Sequence, residues 1–280
     1  MAYVVRIEQG SVDFLRKGIH MTTDETAKCI VTDLNEGILR IRIHRPEKKN
    51  ALTFAMYQEL ADALIRADQD RAARVVLLTG TEECFCAGND LGDFAKIAMG
   101  KERLRNPFVP AISGFKKPMV AAVSGVAIGI GTTMLLHCDL VYASANARFQ
   151  LPFVNLGLCP ELGSTVLLPF LMGHQRAAEL FLLGEPFGAE KAREVGIVAK
   201  VCAQGEVMNT ALDAARKLSA QPTAAACLTK SLMKRAREAV VSAAIEEESF
   251  QFGQRLLSPE AKEAFLAFLE KRKPDFSRIG

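Results

Sequence analysis

Residues 117–161 read KPMVAAVSGVAIGIGTTMLLHCDLVYASANARFQLPFVNLGLCPE. Pro118 opens an apolar run at 119–123, too short for a helix and bounded like a buried strand. Ser124-Gly125 ends the run, Gly129 and Gly131 allow a tight turn, and 132–138 is expected as a buried helix. Such a strand–turn–helix unit gathers backbone N–H groups that suit a developing negative charge.

Working outward, 38–44 alternates cleanly, with Leu39, Ile41 and Ile43 opposite Arg40 and Arg42, so a half-exposed strand is expected. The loop RPEKKNALT follows. Thr53 is a helix cap, and Tyr57, Leu60, Leu64 and Ala67 recur at helical spacing. RVVLLT (74–79) reads as a buried strand, ECFCAGNDLGDF as a loop, and 95–110 as a polar stretch without firm period. LVYA (140–143) is a further strand. Strands alternating with helices predict an α/β layer with a parallel sheet. HQRAAELFLL and AEKAREVG read as helices, 197–201 as a last strand, and everything after about 205 as helical. Pro222 starts one helix, and Ser258-Pro259-Glu260 is a capped start for another, whose Phe265, Leu266, Phe268 and Leu269 form an apolar stripe. The sequence shows no internal repeat. The expected organisation is an N-terminal extension of unassigned role (1–24), a core (25–205) and a C-terminal helical region (206–280).

The 280 residues are 49% hydrophobic and 24% charged, as in an ordinary globular protein with ample core. A net charge of +3, interleaved signs, three tyrosines and no tryptophan argue against nucleic-acid binding. No apolar run is long enough to span a bilayer, and residues 1–20 lack a signal-peptide pattern. The seven cysteines show no metal-ligand spacing and fit buried reduced thiols, so a cytoplasmic protein without a metal is expected. Gly129-Ile130-Gly131 lacks the third glycine of a dinucleotide fingerprint, and there is neither a phosphate-binding G-K-[ST] nor a G-x-S-x-G. His137, inside an apolar segment, reads as a satisfied core histidine.

Two glycine-bearing turns remain, Cys86-Ala87-Gly88-Asn89-Asp90 and Gly129-Ile130-Gly131, each after a buried strand. Parallel strands bring such turns side by side, where two N–H groups form an oxyanion hole for carbonyl chemistry.

RPEKKNALT, FCAGNDL, KPMVAAVSGVAIGIGTTMLLHCDL and LPFVNLGLCPELGSTVLLP, in this order, resemble the crotonase (enoyl-CoA hydratase/isomerase) superfamily over roughly residues 30–275. The resemblance implies a spiral of ββα units with a C-terminal helical trimerisation region, a homotrimer or dimer of trimers, and acyl-CoA substrates. No cofactor is implied beyond the coenzyme A that the substrate carries. It places the thioester oxygen between the N–H groups of Ala87 and Ile130. Residues of 50–56 and 85–95 line the pocket, among them Ala51, Cys86, Gly88, Asn89, Asp90 and Leu91. Gly129, Gly131, Thr133 and Phe153 complete the site. Arg45, Lys48 and Lys49 match the basic loop at the nucleotide end of coenzyme A, and Phe268 and Lys271 match a segment that reaches a neighbouring subunit's ligand. Asp90 is also read as fixing its loop by hydrogen bonds, and Asp139 as ordering the turn into the next strand.

Hydratases of the superfamily use two glutamates, and the matching positions here are Thr133 and Phe153. The remaining acid is Glu161, at the place where the superfamily's Δ3,Δ2-enoyl-CoA isomerases carry a single acid. Leu156, Leu158 and Leu162 should raise its pKa, while a helix start would lower it. The expectation is an isomerase of fatty-acid or related acyl-CoA degradation with Glu161 as proton shuttle. The alternatives are a hydratase or thioester hydrolase of the same family, or a catalytically silent acyl-CoA-binding protein.

Overall fold

The computed structural model describes residues 28–98, 106–277 and 279. The N-terminal extension (1–24) and part of the polar 95–110 stretch lie outside the described residues. Ten strands follow in chain order: β1 (Ile30–Asn35), β2 (Ile38–Ile43), β3 (Val75–Thr79), β4 (Cys84–Cys86), β5 (Met119–Val123), β6 (Val126–Ile128), β7 (Leu140–Ser144), β8 (Arg148–Gln150), β9 (Phe187–Gly188) and β10 (Lys200–Cys202). The helices are α1 (Phe54–Gln69), α2 (Leu91–Ala98), α3 (Phe108–Ser113), α4 (Ile130–Thr133), α5 (Ser164–Met172), α6 (His174–Ala178), α7 (Ala189–Glu194), α8 (Val207–Ser219), α9 (Thr223–Arg235), α10 (Glu238–Leu256) and α11 (Pro259–Leu269).

The larger sheet runs β1-β2-β3-β5-β7-β10, parallel except for the β1–β2 hairpin, and the smaller runs β4-β6-β8-β9. In each of the pairs β3/β4, β5/β6 and β7/β8, a long strand of the first sheet hands the chain to a short strand of the second. The sequence reading found no repeat, yet this ββ step recurs three times, with α2 following the first and α4 the second. Backbone pairing carries the repetition, so no side-chain pattern has to recur. Gly125 makes the β5–β6 corner possible: its φ is +65°, and a Cβ there would lie 1.7 Å from the Glu83 carbonyl oxygen. No other residue fits.

β3 and β5 are buried on both faces, as a central parallel strand must be. Val75, Leu77, Val120 and Ala122 face α8, whose Val207, Ala211 and Ala215 form one buried stripe. Val76, Leu78, Ala121 and Val123 face the main core with α1 and its Tyr57, Leu60 and Leu64. Thr53 caps α1 as expected, accepting from the Met56 N–H at 3.3 Å, and Ser258 caps α11, accepting from Ala261 at 3.1 Å. Asp139 Oδ2 accepts from the Met119 N–H at 2.7 Å and from the buried Lys230 Nζ at 2.8 Å, tying β5 to α9.

Several expectations are corrected. β4 and α2 occupy the stretch read as a loop, and α3 ends the polar stretch. β6 lies between the Ser124-Gly125 end of the apolar run and the Gly129-Ile130-Gly131 turn, where no element was expected. The 132–138 helix begins at Ile130 and passes into a 3-10 turn at Met134–His137. The 174–183 helix ends in a π-helical turn, Glu179–Leu183. The last strand starts at Lys200, because Ile197 and Val198 are used as core residues after α7. The α11 stripe is split: Phe265 is buried against Phe94, while Leu266, Phe268 and Leu269 are exposed.

Candidate active site

β4 and β6 pair in parallel, so the turns that follow them lie side by side. The first turn is laced to the 45–52 loop. The Ala87 N–H donates to the Lys49 carbonyl at 3.0 Å, the Leu52 N–H to the Gly88 carbonyl at 2.8 Å, and the Asp90 N–H to the Leu52 carbonyl at 2.9 Å. Ala87, expected as an oxyanion donor, is therefore already committed. The N–H of Asn89 instead has no acceptor among the described residues, and neither has that of Ile130. Gly131 lets the turns abut, since a Cβ on it would lie 2.5 Å from the Cys86 carbonyl oxygen. Gly129 anchors the second turn by donating to the Gln150 carbonyl at 2.9 Å. The buried Tyr57 hydroxyl donates to Asn89 Oδ1 and fixes that side chain.

Arg45 and Asp90 clamp the same loop. Arg45 Nη1 donates to Asp90 Oδ2 at 2.7 Å and to the Ala51 carbonyl at 3.0 Å, while Asp90 Oδ1 accepts from the Gly92 N–H at 2.9 Å. Burial acts to raise the Asp90 carboxyl, but Arg45 and the Gly92 N–H outweigh it and hold the group below its ordinary value. The loop-fixing role of Asp90 stands. Arg45, expected at coenzyme A, is turned inward to this pair. Lys48 and Lys49 are exposed beside it. Asn50, expected only as part of the pocket-lining 50–56 segment, is fully buried and donates to the Cys84 carbonyl at 2.6 Å while accepting from the Arg45 N–H at 2.7 Å. Arg45→Ala is expected to lower stability by about 1 kcal/mol, whereas Lys49→Ala, on the expectation that Lys49 meets coenzyme A, should raise KM for an acyl-CoA and leave the melting temperature unchanged. Paired thermal scans and KM measurements separate the two roles.

A cavity of about 520 Å³ is lined by both Asn89 and Glu161. Phe94 adds to its wall, but none of residues 50–56 does. Its other sides come from Asn106, Val109 and Pro110 and from one flank of α10, including Ile245, Ser249 and Phe252. Val109, Pro110 and Ile245 also border a second cavity of about 670 Å³ between α3, α9 and α10. α10 was not legible as a pocket wall. Ala51, Cys86, Gly88 and Leu91 support the turn and do not line the cavity; Cys86 is fully buried, with its thiol pushed up to about 12 by burial.

Glu161 keeps 9% of its surface exposed. It precedes α5 and is not in its first turn, so the helix-start effect does not reach it as expected. Burial, then the nearby Glu248, pushes its carboxyl up to about 8, against a hydrogen bond from Thr133 that pulls it down. Thr133 Oγ1 donates to Glu161 Oε1 at 3.4 Å. Phe153 is buried outside the cavity, and His137 is a satisfied core group whose Nε2 meets the Leu162 carbonyl at 2.8 Å. Phe268 and Lys271 are exposed at the end of α11, apart from the cavity of their own chain.

A family model described as enoyl-CoA hydratase/isomerase matches residues 33–278. The chain belongs to this family. Family relatives include 1,2-epoxyphenylacetyl-CoA isomerase of Escherichia coli (strain K12), 36% identical over 89% of this chain and 98% of that protein. Short-chain-enoyl-CoA hydratase of Clostridium acetobutylicum is 33% identical over 87% of this chain and 95% of that protein. Enoyl-CoA delta isomerase 2 of Rattus norvegicus is 34% identical over 89% of this chain, which spans 65% of that protein. Among solved structures, Pseudomonas aeruginosa OdaA has 44% identity and a TM-score of 0.83, covering 87% of this chain and 99% of that one. The family fold is the crotonase-like ββα arrangement described above, and its chemistry is that of acyl-CoA thioesters. Among the described residues no helix is long and apolar enough to cross a membrane.

Proposed function

We propose that this family member is an enoyl-CoA isomerase that shifts a 3-enoyl-CoA double bond to the 2-position, with Glu161 as its single acid–base group. The observation that carries this reading is Glu161 itself. It is a buried acid lining one cavity with Asn89, a residue whose N–H is uncommitted, while positions 133 and 153 hold threonine and phenylalanine. The thioester oxygen is assigned to the N–H groups of Asn89 and Ile130. Ionised Glu161 removes a C2 proton, and the electron pair moves through the thioester to give a dienolate whose oxygen the two donors stabilise. Neutral Glu161 then returns the proton to C4, the double bond comes to rest between C2 and C3, and the carboxylate is regenerated. An acid near pH 8 both takes and gives a proton readily at neutral pH.

Lys48 and Lys49 are assigned to the nucleotide end of coenzyme A. Phe268 and Lys271, exposed at the end of α11, are assigned to a neighbouring copy's ligand in a homotrimer or dimer of trimers. Water addition is the second reading, favoured by the hydratases among the relatives; it lacks a second acid at 133 or 153. The test offers purified protein a 3-enoyl-CoA and, separately, a 2-enoyl-CoA. Formation of the conjugated thioester, followed by ultraviolet absorbance, is expected with the first. Absence of conjugation together with hydration of the second would replace the isomerase reading.

A further inference from the structure

Glu248 is the other buried acid beside the cavity, and the proton-shuttle scheme does not use it. It keeps 6% of its surface exposed. Its Oε2 accepts from the Gly163 N–H at 2.6 Å, and its Oε1 accepts from the Thr165 N–H at 2.9 Å and from the Thr165 hydroxyl. All three donors belong to the segment that carries Glu161 into α5, and both oxygens act only as acceptors.

That segment needs holding. Leu162 and Gly163 are successive left-handed residues, at φ +63° and +71°. A side chain such as leucine is strained there. The Ser164 N–H closes the turn on the Glu161 carbonyl at 3.1 Å, and His137 Nε2 meets the Leu162 carbonyl at 2.8 Å. Glu248 lies on the same helical flank as Ile245, Ser249 and Phe252, so the face of α10 that walls the cavity also grips this turn.

We infer that Glu248 is a positioning residue for the reaction, clamping the turn that carries Glu161 and keeping a fixed negative charge against it. This rests on the reading of Glu161 as the proton shuttle. Among the described residues neither acid has a cationic partner within ion-pair distance. The groups facing Glu161 are Glu248 and Glu246 from α10, Tyr57 from α1, Cys86 from β4, Thr133 from α4 and Cys159 from its own segment. Removing the charge of Glu248 should therefore make Glu161 easier to ionise, which loss of a structural contact alone would not do.

The test is infrared titration of the Glu161 carboxyl in the full chain, its band assigned by loss in Glu161→Gln. Glu248→Gln is expected to move that titration to lower pH by roughly one unit and to move the rising limb of the pH–rate profile with it. Glu248→Asp keeps the charge but draws it back, so kcat should fall while the titration stays near its native pH. An unmoved titration in Glu248→Gln overturns the inference. Native kcat in Glu248→Asp overturns it too, even where the glutamine variant does not fold. Native turnover in Glu161→Gln would instead sink the shuttle reading on which the inference rests.

Discussion

Replacing Glu161 by glutamine is expected to reduce kcat for double-bond migration by about 10²–10⁴-fold while making the folded chain more stable at alkaline pH. The loss of rate follows from removing the one group assigned to carry the proton. The gain in stability follows from burial. The folded carboxyl titrates near 8, well above an ordinary glutamate. Between those two values the folded chain keeps a proton that the unfolded chain has lost. Stability therefore falls as pH rises across that window, and the penalty is complete above pH 8. Glutamine removes the titration, so calorimetry at pH 8.5 should show a gain on the order of 4–5 kcal/mol, shrinking towards pH 5. The native kcat should climb with pH up to about 8 and then level as the carboxylate form saturates. A flat rate profile between pH 6 and 9, or equal stability of the two proteins at pH 8.5, would contradict this account.

Gly131→Ala is expected to cost about 10²-fold in kcat, with a smaller effect on KM. Its Cβ would fall 2.5 Å from the Cys86 carbonyl oxygen and 3.0 Å from the Cys86 Cβ, neither of which sits on a flexible side-chain end. The second turn must then back away from β4 and take the Ile130 N–H with it. A hole built from two donors fails when one is displaced by a fraction of an ångström, because its value lies in fixed geometry. The strain should also appear as about 1–3 kcal/mol of lost stability. Steady-state kinetics beside denaturant unfolding measure both effects. Native kcat in this variant would mean that the Ile130 N–H is not a donor to the substrate.

The sequence was most legible where one physical demand governed a whole segment. RVVLLT and MVAAV read as buried strands because a parallel strand covered on both faces must be continuously apolar. The α1 cap and stripe were equally plain, and the motifs of the two turns identified the family. β1 was missed because IVTDLN, an edge strand with four exposed residues, shows no clean alternation. β6 was missed because three residues are too few to show a period. That Ala87 has its N–H committed while Asn89, the donor proposed in its place, does not has a different origin. The motif identifies the turn, but which N–H is consumed depends on pairing with Lys49 and Leu52, 36 to 38 residues earlier in the chain. Glu248 sits in the run EEES, which resembles a solvated acidic stretch, and only the tertiary placement of α10 turns its third acid inward.

The two duties of α10 limit how this protein can be redesigned. One flank of the helix walls the cavity that the proposed reaction would use for the acyl chain, and Glu248 on that same flank grips the turn bearing the proposed acid. A chimera that borrows residues 238–256 from a relative would exchange acyl-length preference and pH optimum as a single heritable cassette. Retuning either trait alone would have to spare Glu248 and its partners Gly163 and Thr165 while resculpting positions such as Ile245 and Phe252.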